Sequence, residues 1–299
     1  MANKRLLLIV NPRSGRARIK NELLSIVQIF SKLKFDVTVY PTKSQGDATR
    51  RAEQITDGEF DRIVVCGGDG TLNEVISGIM HSGINCTLGY IPSGTLNEWS
   101  SGLNISRDFA EAARDAAKGK EIDLDIGRFG DRYFSYTASF GAFTEASYSA
   151  PQDVKNVLGQ AAYFFEGIKS LGNIKPVHLK FTCDEREIEG DFLFGAISNS
   201  MSVGGIVKFK DSTVKLNDGL FEVMLIRKPD TIAKFQSIVE GILRQDLERD
   251  GIEFFHTKQI TVSGGSEVAW TLDGEYAPGA QEITITNLPS AIHLMAPKE

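Results

Sequence analysis

The sequence predicts an α/β + β protein of two domains. The first is an N-terminal three-layer α/β domain with a mainly parallel sheet, and the second is a C-terminal antiparallel β-sandwich domain with helical inserts. A chain of 299 residues has the length of about two ordinary domains. Its first part alternates short apolar runs with helical patterns, which is typical of a parallel sheet covered by helices. Its second part consists mostly of β-type runs separated by turn residues, which is typical of a sandwich or barrel.

The first half contains four predicted strands with helical segments between them. The strands are the apolar runs at 5–10, 35–40, 61–66 and 86–92. Helical periodicity follows at 21–33, at 46–55 and in the stretch after Thr71. A further helix is predicted after Ser106, whose side chain suits an N-cap, and should end at Gly119.

The sequence changes character near residues 121–129. From there, runs with strand character occur at 132–140, 177–183, 190–198, 219–226, 259–264, 267–274 and 281–287. Two segments with helical periodicity interrupt them, at 153–171 and 231–245. The sequence therefore predicts a β-rich second domain over residues 126–287, with helices inserted into it.

Composition excludes several classes of protein. The formal net charge of −6 does not favour nucleic acid as a partner, so none is predicted. The three cysteines are widely spaced and are expected to be reduced, and the four histidines form no zinc-ligand pattern. The apolar run near the N-terminus is too short for a signal peptide, and no run is long enough to span a membrane. We therefore expect a cytoplasmic protein.

Three strand-to-helix turns of the first half are rich in small and polar residues. NPRSGRAR follows the first predicted strand at 11–18, GGDGTLNE follows the third at 67–74, and PSGTLNE follows the fourth at 92–98. In an open parallel sheet, ligands bind at the carboxyl ends of the strands. Small residues and a helix N-terminus present backbone N–H groups to anions. The three turns therefore predict a phosphate-binding site at this edge of the sheet.

The GGDGT turn is the most informative of the three. Asp69 lies among three glycines, where neither packing nor helix capping requires a carboxylate. The GxxxxGK[ST] and GxSxG motifs are absent, which argues against a Walker-type nucleotidase and an α/β-hydrolase. Residues 68–73 come near GxGxxG, but Asn73 occupies the third glycine position and the turn follows the third strand. This argues against a dinucleotide-binding dehydrogenase.

The pentapeptide GTLNE occurs twice, at 70–74 and at 94–98. Only the strand-turn-helix order is shared by the flanking sequences. We therefore interpret the two copies as neighbouring loops of one site rather than as a duplicated unit.

Five motifs together carry a family resemblance. NPRSG, VVCGGDGTLNEV, IPSGTLNE, LNDGLFEV and TLDGE occur in this order between residues 11 and 275. In this order they resemble the bacterial diacylglycerol kinase-type lipid kinases, which are relatives of the sphingosine kinases and, more distantly, of the NAD kinases and phosphofructokinases. The resemblance implies an ATP-binding, nucleotide-binding domain at 1–125, completed by a C-terminal return strand at about 288–299. The lipid-substrate domain would then be 126–287.

The resemblance also implies roles for individual residues. Asp69 would act with ATP-bound Mg²⁺, and Glu275 would accept the proton of the attacking lipid hydroxyl. A second, structural Mg²⁺ would be held by the Asp218 carboxylate and by the carbonyl groups of Lys215 and Leu220. The implied ATP contacts are Asn11, Pro12, Arg13, Ser14, Gly15, Thr42, Gly67, Gly68, Asp69, Gly70, Thr71, Leu72, Asn73 and Thr95.

The residue types suit this chemistry without the resemblance. Phosphoryl transfer depends mainly on positioning and charge neutralisation, and Mg²⁺ prefers oxygen ligands such as Asp69. An alcohol nucleophile needs a base; with the histidines scattered, the candidates are Glu275 and Asp69, and we favour Glu275. Relatives usually read GTxNDFAR where this chain reads GTLNEWSS. Glu98 thus keeps the carboxylate on a side chain one methylene longer, and we include it among the catalytic candidates.

The function expected from the sequence is an ATP- and Mg-dependent lipid kinase that phosphorylates the hydroxyl of diacylglycerol or a similar lipid, giving phosphatidic acid or an analogue. The lipid would be reached by peripheral contact with the inner face of the membrane, and the resemblance makes a homodimer an expectation. Two alternatives stay open. One is a kinase of the same superfamily that acts on a soluble acceptor such as NAD, and the other is a catalytically inactive nucleotide- or lipid-binding regulator.

Overall fold

The computed structural model describes residues 3–17, 19–94, 97–141, 175–184, 186–200, 202–203, 207–208 and 215–298. The chain forms two compact units, Met1–Ile126 with Ser290–Glu299, and Gly127–Pro289. The boundaries expected from the sequence are after residue 125 and after residue 287.

The first unit alternates strands and helices. Its strands are β1 (Lys4–Val10), β2 (Phe35–Pro41), β3 (Arg62–Gly67), β4 (Thr87–Pro92) and the C-terminal part of the last strand, β17 (Glu282–Ala296). Its helices are α1 (Ile19–Lys32), α2 (Asp47–Glu53), α3 (Asp69–Ser82), α4 (Glu98–Gly102) and α5 (Phe109–Lys118), and a short 3₁₀ helix spans Ser14–Ala17. Because α1 packs beside α5 and α2 packs beside α3, the helices form two layers around the sheet.

Five strands of the first unit, β1 to β4 and β17, pair in parallel. Their order is β2-β1-β3-β4-β17. The register aligns Val10 with both Pro41 and Cys66, and Gly67 with Pro92. Four strands therefore end at the same edge, and the segments that follow them begin side by side there. The apolar residues of β1 and β3 are buried because helices cover both faces of the sheet.

The start of α5 differs in one detail from the sequence prediction. Its N-cap is Asp108, whose side chain accepts a hydrogen bond from the Glu111 N–H at 2.9 Å. Ser106 does not cap the helix; its hydroxyl donates to the Glu111 carboxylate at 2.7 Å and accepts from the Asp108 N–H at 3.1 Å. The Ser106 prediction was wrong because Asp108 lies directly before the first helical residue, where its carboxylate reaches the first-turn N–H groups.

The second unit consists mainly of antiparallel strands. They are β5 (Lys120–Phe129), which begins in the first unit, β6 (Arg132–Phe134), β7 (Thr137–Gly141), β8 (Val177–Cys183), β9 (Arg186–Ser198), β10 (Ser202–Val203), β11 (Val207–Lys208), β12 (Phe221–Arg227), β13 (Ile252–Thr257), β14 (Gln259–Ser263), β15 (Trp270–Leu272), β16 (Glu275–Ala277) and the first part of β17. The strand order is β16-β15-β7-β9-β8-β14-β17, and β12 pairs with both β9 and β13.

The core of the second unit lies on one face of these strands. It is rich in aromatic rings, and Phe140 lies 4.8 Å from Trp270 between ring centroids. The opposite face of β9 and β12 packs against α6 (Ile232–Arg244) through residues such as Met224 and Ile238. α6 matches the helical insert expected at 231–245, whereas the insert expected at 153–171 lies outside the described residues. Together with the parallel strands of the first unit, these features confirm the α/β + β fold class.

Candidate active site

Backbone and side-chain hydrogen bonds tie the three predicted turns together at the edge of the parallel sheet. The backbone N–H of Asn11 donates to the carbonyl of Cys66 at 2.9 Å, and its side-chain amide donates to the Thr71 hydroxyl at 3.0 Å. The Ser93 N–H donates to the carbonyl of Gly67 at 2.8 Å. The turn after β1 is thereby joined to the turn after β3, which is joined to the turn after β4. The sequence prediction that these turns lie together is confirmed.

Glycines let the backbones of these turns approach one another closely. A methyl group added at Gly15, which has a φ of +53°, would lie 1.8 Å from the Ser93 carbonyl oxygen. One added at Gly94 would lie 2.7 Å from the Cα of Gly68. A side chain at either position is therefore incompatible with the observed spacing. The result is a surface of backbone groups, which suits a ligand that binds through N–H donors.

The N-terminus of α3 is the strongest candidate for an anion site. Its N-cap is Gly68, which has an extended backbone and no side chain with which to cap the helix. The first N–H groups of an α-helix have no partner within the helix, and the helix dipole adds partial positive charge there. Thr71, in the first turn, and Asn73, just after it, are buried, and the Thr71 hydroxyl accepts the hydrogen bond from Asn11. This end of α3 therefore has the properties of a phosphate site.

Tyr90 is a buried polar group of this site that the sequence analysis missed. Its hydroxyl lies 3.3 Å from the Gly67 carbonyl oxygen, 3.5 Å from Oδ1 of Asp69 and 3.4 Å from Oδ1 of Asn97. Burial, and secondarily the Asp69 carboxylate, raise the pKa of Tyr90, so the hydroxyl keeps its proton and donates. The Tyr90 hydroxyl thus contacts the GGDGT turn through Gly67 and Asp69. The sequence feature that could have indicated this role is a tyrosine, with its polar hydroxyl, within an otherwise mainly aliphatic strand.

The second GTLNE copy is organised around Asn97. Its backbone is left-handed, with a φ of +51°, and it is the N-cap residue of α4. Its side chain accepts from the Gly94 N–H at 2.9 Å and donates to the Gly94 carbonyl at 2.8 Å. Thr95 lies outside the described residues. Glu98 is the first residue of α4, and its side chain is likewise outside the described part of the chain.

The other predicted nucleotide contacts lie at the same edge. The Thr42 N–H donates to the Val10 carbonyl at 2.8 Å, so the segment after β2 lies beside the turn after β1. In that turn, which includes Pro12, the Arg13 and Ser14 N–H groups donate to Asn11 at 3.0 and 3.2 Å. Gly70 and Leu72 lie with Thr71 in the first turn of α3.

The predicted base, Glu275, begins the second strand of a tight hairpin in the second unit. Leu272 pairs with Glu275 across β15 and β16, and the two turn residues, Asp273 and Gly274, have φ values of +50° and +85°. Positive φ at both positions is the mark of a type I′ turn, for which Asp-Gly is a favoured pair. Glu275 is half-buried.

Asp273 anchors this hairpin, a role that the sequence analysis did not assign. Its buried carboxylate accepts hydrogen bonds from three consecutive backbone N–H groups, those of Ser135, Tyr136 and Thr137, at 2.5, 3.0 and 2.9 Å. Its own N–H donates to the Thr137 carbonyl at 2.9 Å. The turn that carries Glu275 is therefore fixed to the connection between β6 and β7.

The loop predicted to hold a structural Mg²⁺ forms a tight turn. Asp218 is exposed, and its Oδ1 accepts from the Leu220 N–H at 3.1 Å, while Gly219 has a φ of +75°. Within the described parts of the chain, no group of three or more His, Cys, Asp or Glu residues is placed to hold a metal. The set proposed here contains one carboxylate and the carbonyls of Lys215 and Leu220, and it stays a prediction.

The sequence and the fold of this chain are similar to those of known proteins. Residues 5–129 match the family model of the diacylglycerol kinase catalytic domain, and residues 138–296 match that of the YegS C-terminal NAD kinase beta sandwich-like domain. The diacylglycerol kinase of Bacillus subtilis (strain 168) is 33% identical over 99% of this chain and 97% of its own length. That of Staphylococcus aureus (strain MRSA252) is 31% identical over 99% and 93%. A crystal structure from Bacillus anthracis str. Sterne, assigned to a diacylglycerol kinase, superposes with a TM-score of 0.82 at 27% identity, covering 99% of this chain and 96% of that one.

The two family models describe a kinase catalytic domain followed by a β-sandwich-like domain. The chain belongs to the diacylglycerol kinase catalytic-domain family. It is therefore an enzyme of the lipid kinase class, a phosphotransferase with an alcohol group as acceptor, and the resemblance seen in the sequence is confirmed. No helix among the described residues is long and apolar enough to cross a membrane.

Proposed function

We propose that this chain transfers the γ-phosphate of ATP, with Mg²⁺, to the hydroxyl of diacylglycerol or a similar lipid, and so forms phosphatidic acid or an analogue. The observation that carries the nucleotide half is the N-terminus of α3, whose N-cap residue, Gly68, has an extended backbone and no side chain of its own with which to cap the helix. The names of the relatives support the acceptor half.

The glycine turns fit a nucleotide phosphate chain. Gly15, Gly68 and Gly94 leave only backbone where side chains would otherwise lie, and the N–H groups of α3 face the same edge of the sheet. Phosphate groups bind such arrangements through charge-assisted hydrogen bonds. The proposed contacts are those expected from the sequence: Asn11, Pro12, Arg13, Ser14, Gly15, Thr42, Gly67, Gly68, Asp69, Gly70, Thr71, Leu72, Asn73 and Thr95.

The two predicted carboxylates have different roles in the proposal. Asp69, held beside the Tyr90 hydroxyl, is the candidate partner for Mg²⁺, which would neutralise developing phosphate charge. Glu275 accepts the proton of the lipid hydroxyl as the hydroxyl oxygen forms its bond to the γ-phosphorus. The bond from that phosphorus to the bridging oxygen breaks, and ADP leaves with the electron pair. Glu98 is proposed as a further carboxylate near the metal.

The remaining parts of the proposal concern the surroundings of the reaction. Lys215, Asp218 and Leu220 are proposed to hold the structural Mg²⁺, because Asp218 offers an exposed carboxylate at a turn. The enzyme is proposed to be cytoplasmic, to meet its lipid by peripheral contact with the inner face of the membrane, and to bind no nucleic acid. A homodimer is proposed from the family resemblance, and sedimentation of the purified chain tests it.

The test of the proposed reaction uses radiolabelled ATP, Mg²⁺ and a panel of lipids in mixed micelles. We expect phosphorylation of diacylglycerol by the wild type, and losses on the order of 10²-fold or more in Asp69→Ala and Glu275→Gln. Glu267→Gln is the matched control, since Glu267 is an exposed carboxylate of the second unit. Absence of lipid phosphorylation across the panel would refute the proposed acceptor, and activity that survives Asp69→Ala would refute the site.

The same assay separates the two alternatives. Phosphorylation of NAD in place of every lipid would establish a soluble acceptor. ATP binding without turnover on either class of acceptor would establish a nucleotide-binding regulator.

A further inference from the structure

Glu74, the last residue of the first GTLNE copy, connects two helices of the first unit through its side chain. It lies in α3, and its two carboxylate oxygens accept hydrogen bonds from the N–H groups of Gly46 and Ala48 at 2.8 and 3.1 Å. These N–H groups belong to the start of α2, whose N-cap residue is Gly46 with a φ of +75°. The N-terminus of α2 is therefore capped by a carboxylate from a neighbouring helix.

The packing of α2 against α3 brings the two helices close enough for this contact. Gly78 lies one helical turn after Glu74 on the same side of α3. A methyl group added at Gly78 would lie 2.5 Å from the Thr49 carbonyl oxygen and 2.6 Å from the Ala52 Cβ. Gly78 thus allows α2 to lie directly against α3, and Glu74 fixes the position of its first turn.

The segment before α2 is held by the same arrangement. Asp47, in the first turn of α2, accepts from the Lys43 N–H at 2.8 Å. Residues 43–46 are therefore held by hydrogen bonds at both ends, from Lys43 to the Asp47 carboxylate and from Gly46 to the Glu74 carboxylate. Thr42 precedes this segment directly, and Gly68 to Asn73 form the start of the helix that carries Glu74. One carboxylate therefore links the segment after β2 to the GGDGT turn.

We propose that Glu74 is a positioning residue of the nucleotide site. Its carboxylate holds residues 42–46 against α3, so that Thr42 keeps a fixed distance from the phosphate-binding turn. The inference rests on the proposed function, because it takes Thr42 and the GGDGT turn to be parts of one ATP site. In this proposal the two helix N-termini bind different groups: that of α2 binds a carboxylate of the protein, and that of α3 would bind phosphate.

A purely electrostatic role for Glu74 predicts the opposite sign. A negative charge one turn into α3 repels a triphosphate at the start of that helix, so removal of the charge would strengthen ATP binding. Removal of a positioning contact weakens ATP binding instead. The direction of the change therefore distinguishes the two roles.

The experiment measures MgATP affinity by calorimetry without lipid, amide hydrogen exchange of residues 42–50, and lipid kinase kinetics. Glu74→Gln keeps the shape but not both acceptors, and Glu74→Asp keeps the charge but shortens the reach. Glu53→Gln is the matched control, because Glu53 also joins α2 to α3, through His81 at 2.9 Å, at the far end of α2.

Both Glu74 variants should speed exchange at Gly46 and Ala48 and raise the ATP dissociation constant about tenfold, the equivalent of one charge-assisted hydrogen bond. Turnover at saturating ATP should change little, and Glu53→Gln should change none of these quantities. Unchanged or tighter ATP binding in Glu74→Gln, or wild-type affinity in Glu74→Asp, would overturn the inference. A wild type that binds ATP but phosphorylates no lipid would sink only the proposed acceptor, whereas one that binds no ATP would overturn both proposals.

Discussion

Gly15→Ala tests whether the three turns of the nucleotide site depend on backbone-to-backbone contact. Gly15 has a φ of +53°, and a methyl group there would lie 1.8 Å from the Ser93 carbonyl oxygen. Ser93 cannot retreat freely, because its N–H is bonded to Gly67 at 2.8 Å. The substitution must therefore move the turn after β1 away from the turn after β4.

The expected magnitude has two parts. A left-handed backbone costs alanine about 1 kcal/mol relative to glycine. The overlap with Ser93 adds roughly 1–3 kcal/mol, the usual range for overpacking at a site that cannot relax. Relief of the overlap moves the turn by roughly 1 Å, and a displacement of that size is enough to lower catalytic rates by on the order of 10²-fold.

Gly58→Ala is the matched control for the backbone part. Gly58 also has a positive φ, +70°, and among the described residues nothing lies within 4 Å of the methyl group that the substitution adds. Urea unfolding should show both variants destabilised, with Gly15→Ala destabilised more, and calorimetry should show ATP binding lost only in Gly15→Ala. Equal stability of the two variants, or wild-type ATP affinity in Gly15→Ala, would refute the reasoning.

Three further predictions follow from single contacts. Asp273→Asn should lower the free energy of unfolding, measured in urea, by about 2–4 kcal/mol, because three backbone N–H groups lose the carboxylate that accepts their hydrogen bonds. A change under about 0.5 kcal/mol would contradict this prediction. The hydrogen bond from the Lys43 N–H holds the pKa of Asp47 below 3.8, so the Asp47 carboxylate stabilises the fold above that pH and stabilises it less below. The loss of unfolding free energy caused by Asp47→Asn should therefore shrink as pH falls below 3.8. A loss that stays constant with pH would contradict this prediction. Burial raises the pKa of Cys66 to about 12 and that of Cys86 to about 11, so neither thiol ionises readily at pH 8. Because iodoacetamide reacts with the thiolate, it should label Cys183 first at that pH. Early labelling of Cys66 in peptide maps would contradict this prediction.

The fold could be predicted because its signals are local. The strands of the first unit are apolar runs, and α1 and α3 show helical spacing, so no long-range information was required. β13 was missed because its six residues, IEFFHT, lack both a long apolar run and a strict alternation. The N-cap of α5 was misplaced by two residues because Ser106 and Asp108 are both suitable capping types, and only the backbone geometry decides between them.

The site could be predicted only in part, because several of its contacts depend on register. Asp69 and the glycines stand out in the sequence, since their types are unusual for their positions. The bonds of Asp273 to Ser135 through Thr137 join residues far apart in the chain, as does the cap that Glu74 provides for α2. Such contacts follow from which strands and helices are neighbours, and that information is absent from any short stretch of sequence.

The two GTLNE copies show why an identical sequence does not imply an identical structure. In the first copy all five residues lie in α3, since Asp69 has already begun the helix, and the Glu74 carboxylate reaches the start of α2. In the second copy the helix begins only at Glu98, so Asn97 becomes a left-handed cap that bonds back to Gly94. Asp69, before the first copy, stabilises the start of α3 through its charge, whereas Ser93, before the second copy, donates its N–H to the Gly67 carbonyl at 2.8 Å. The same pentapeptide thus lies within the start of a helix in one place, and in the other its Asn and Glu are the N-cap and the first residue of a helix.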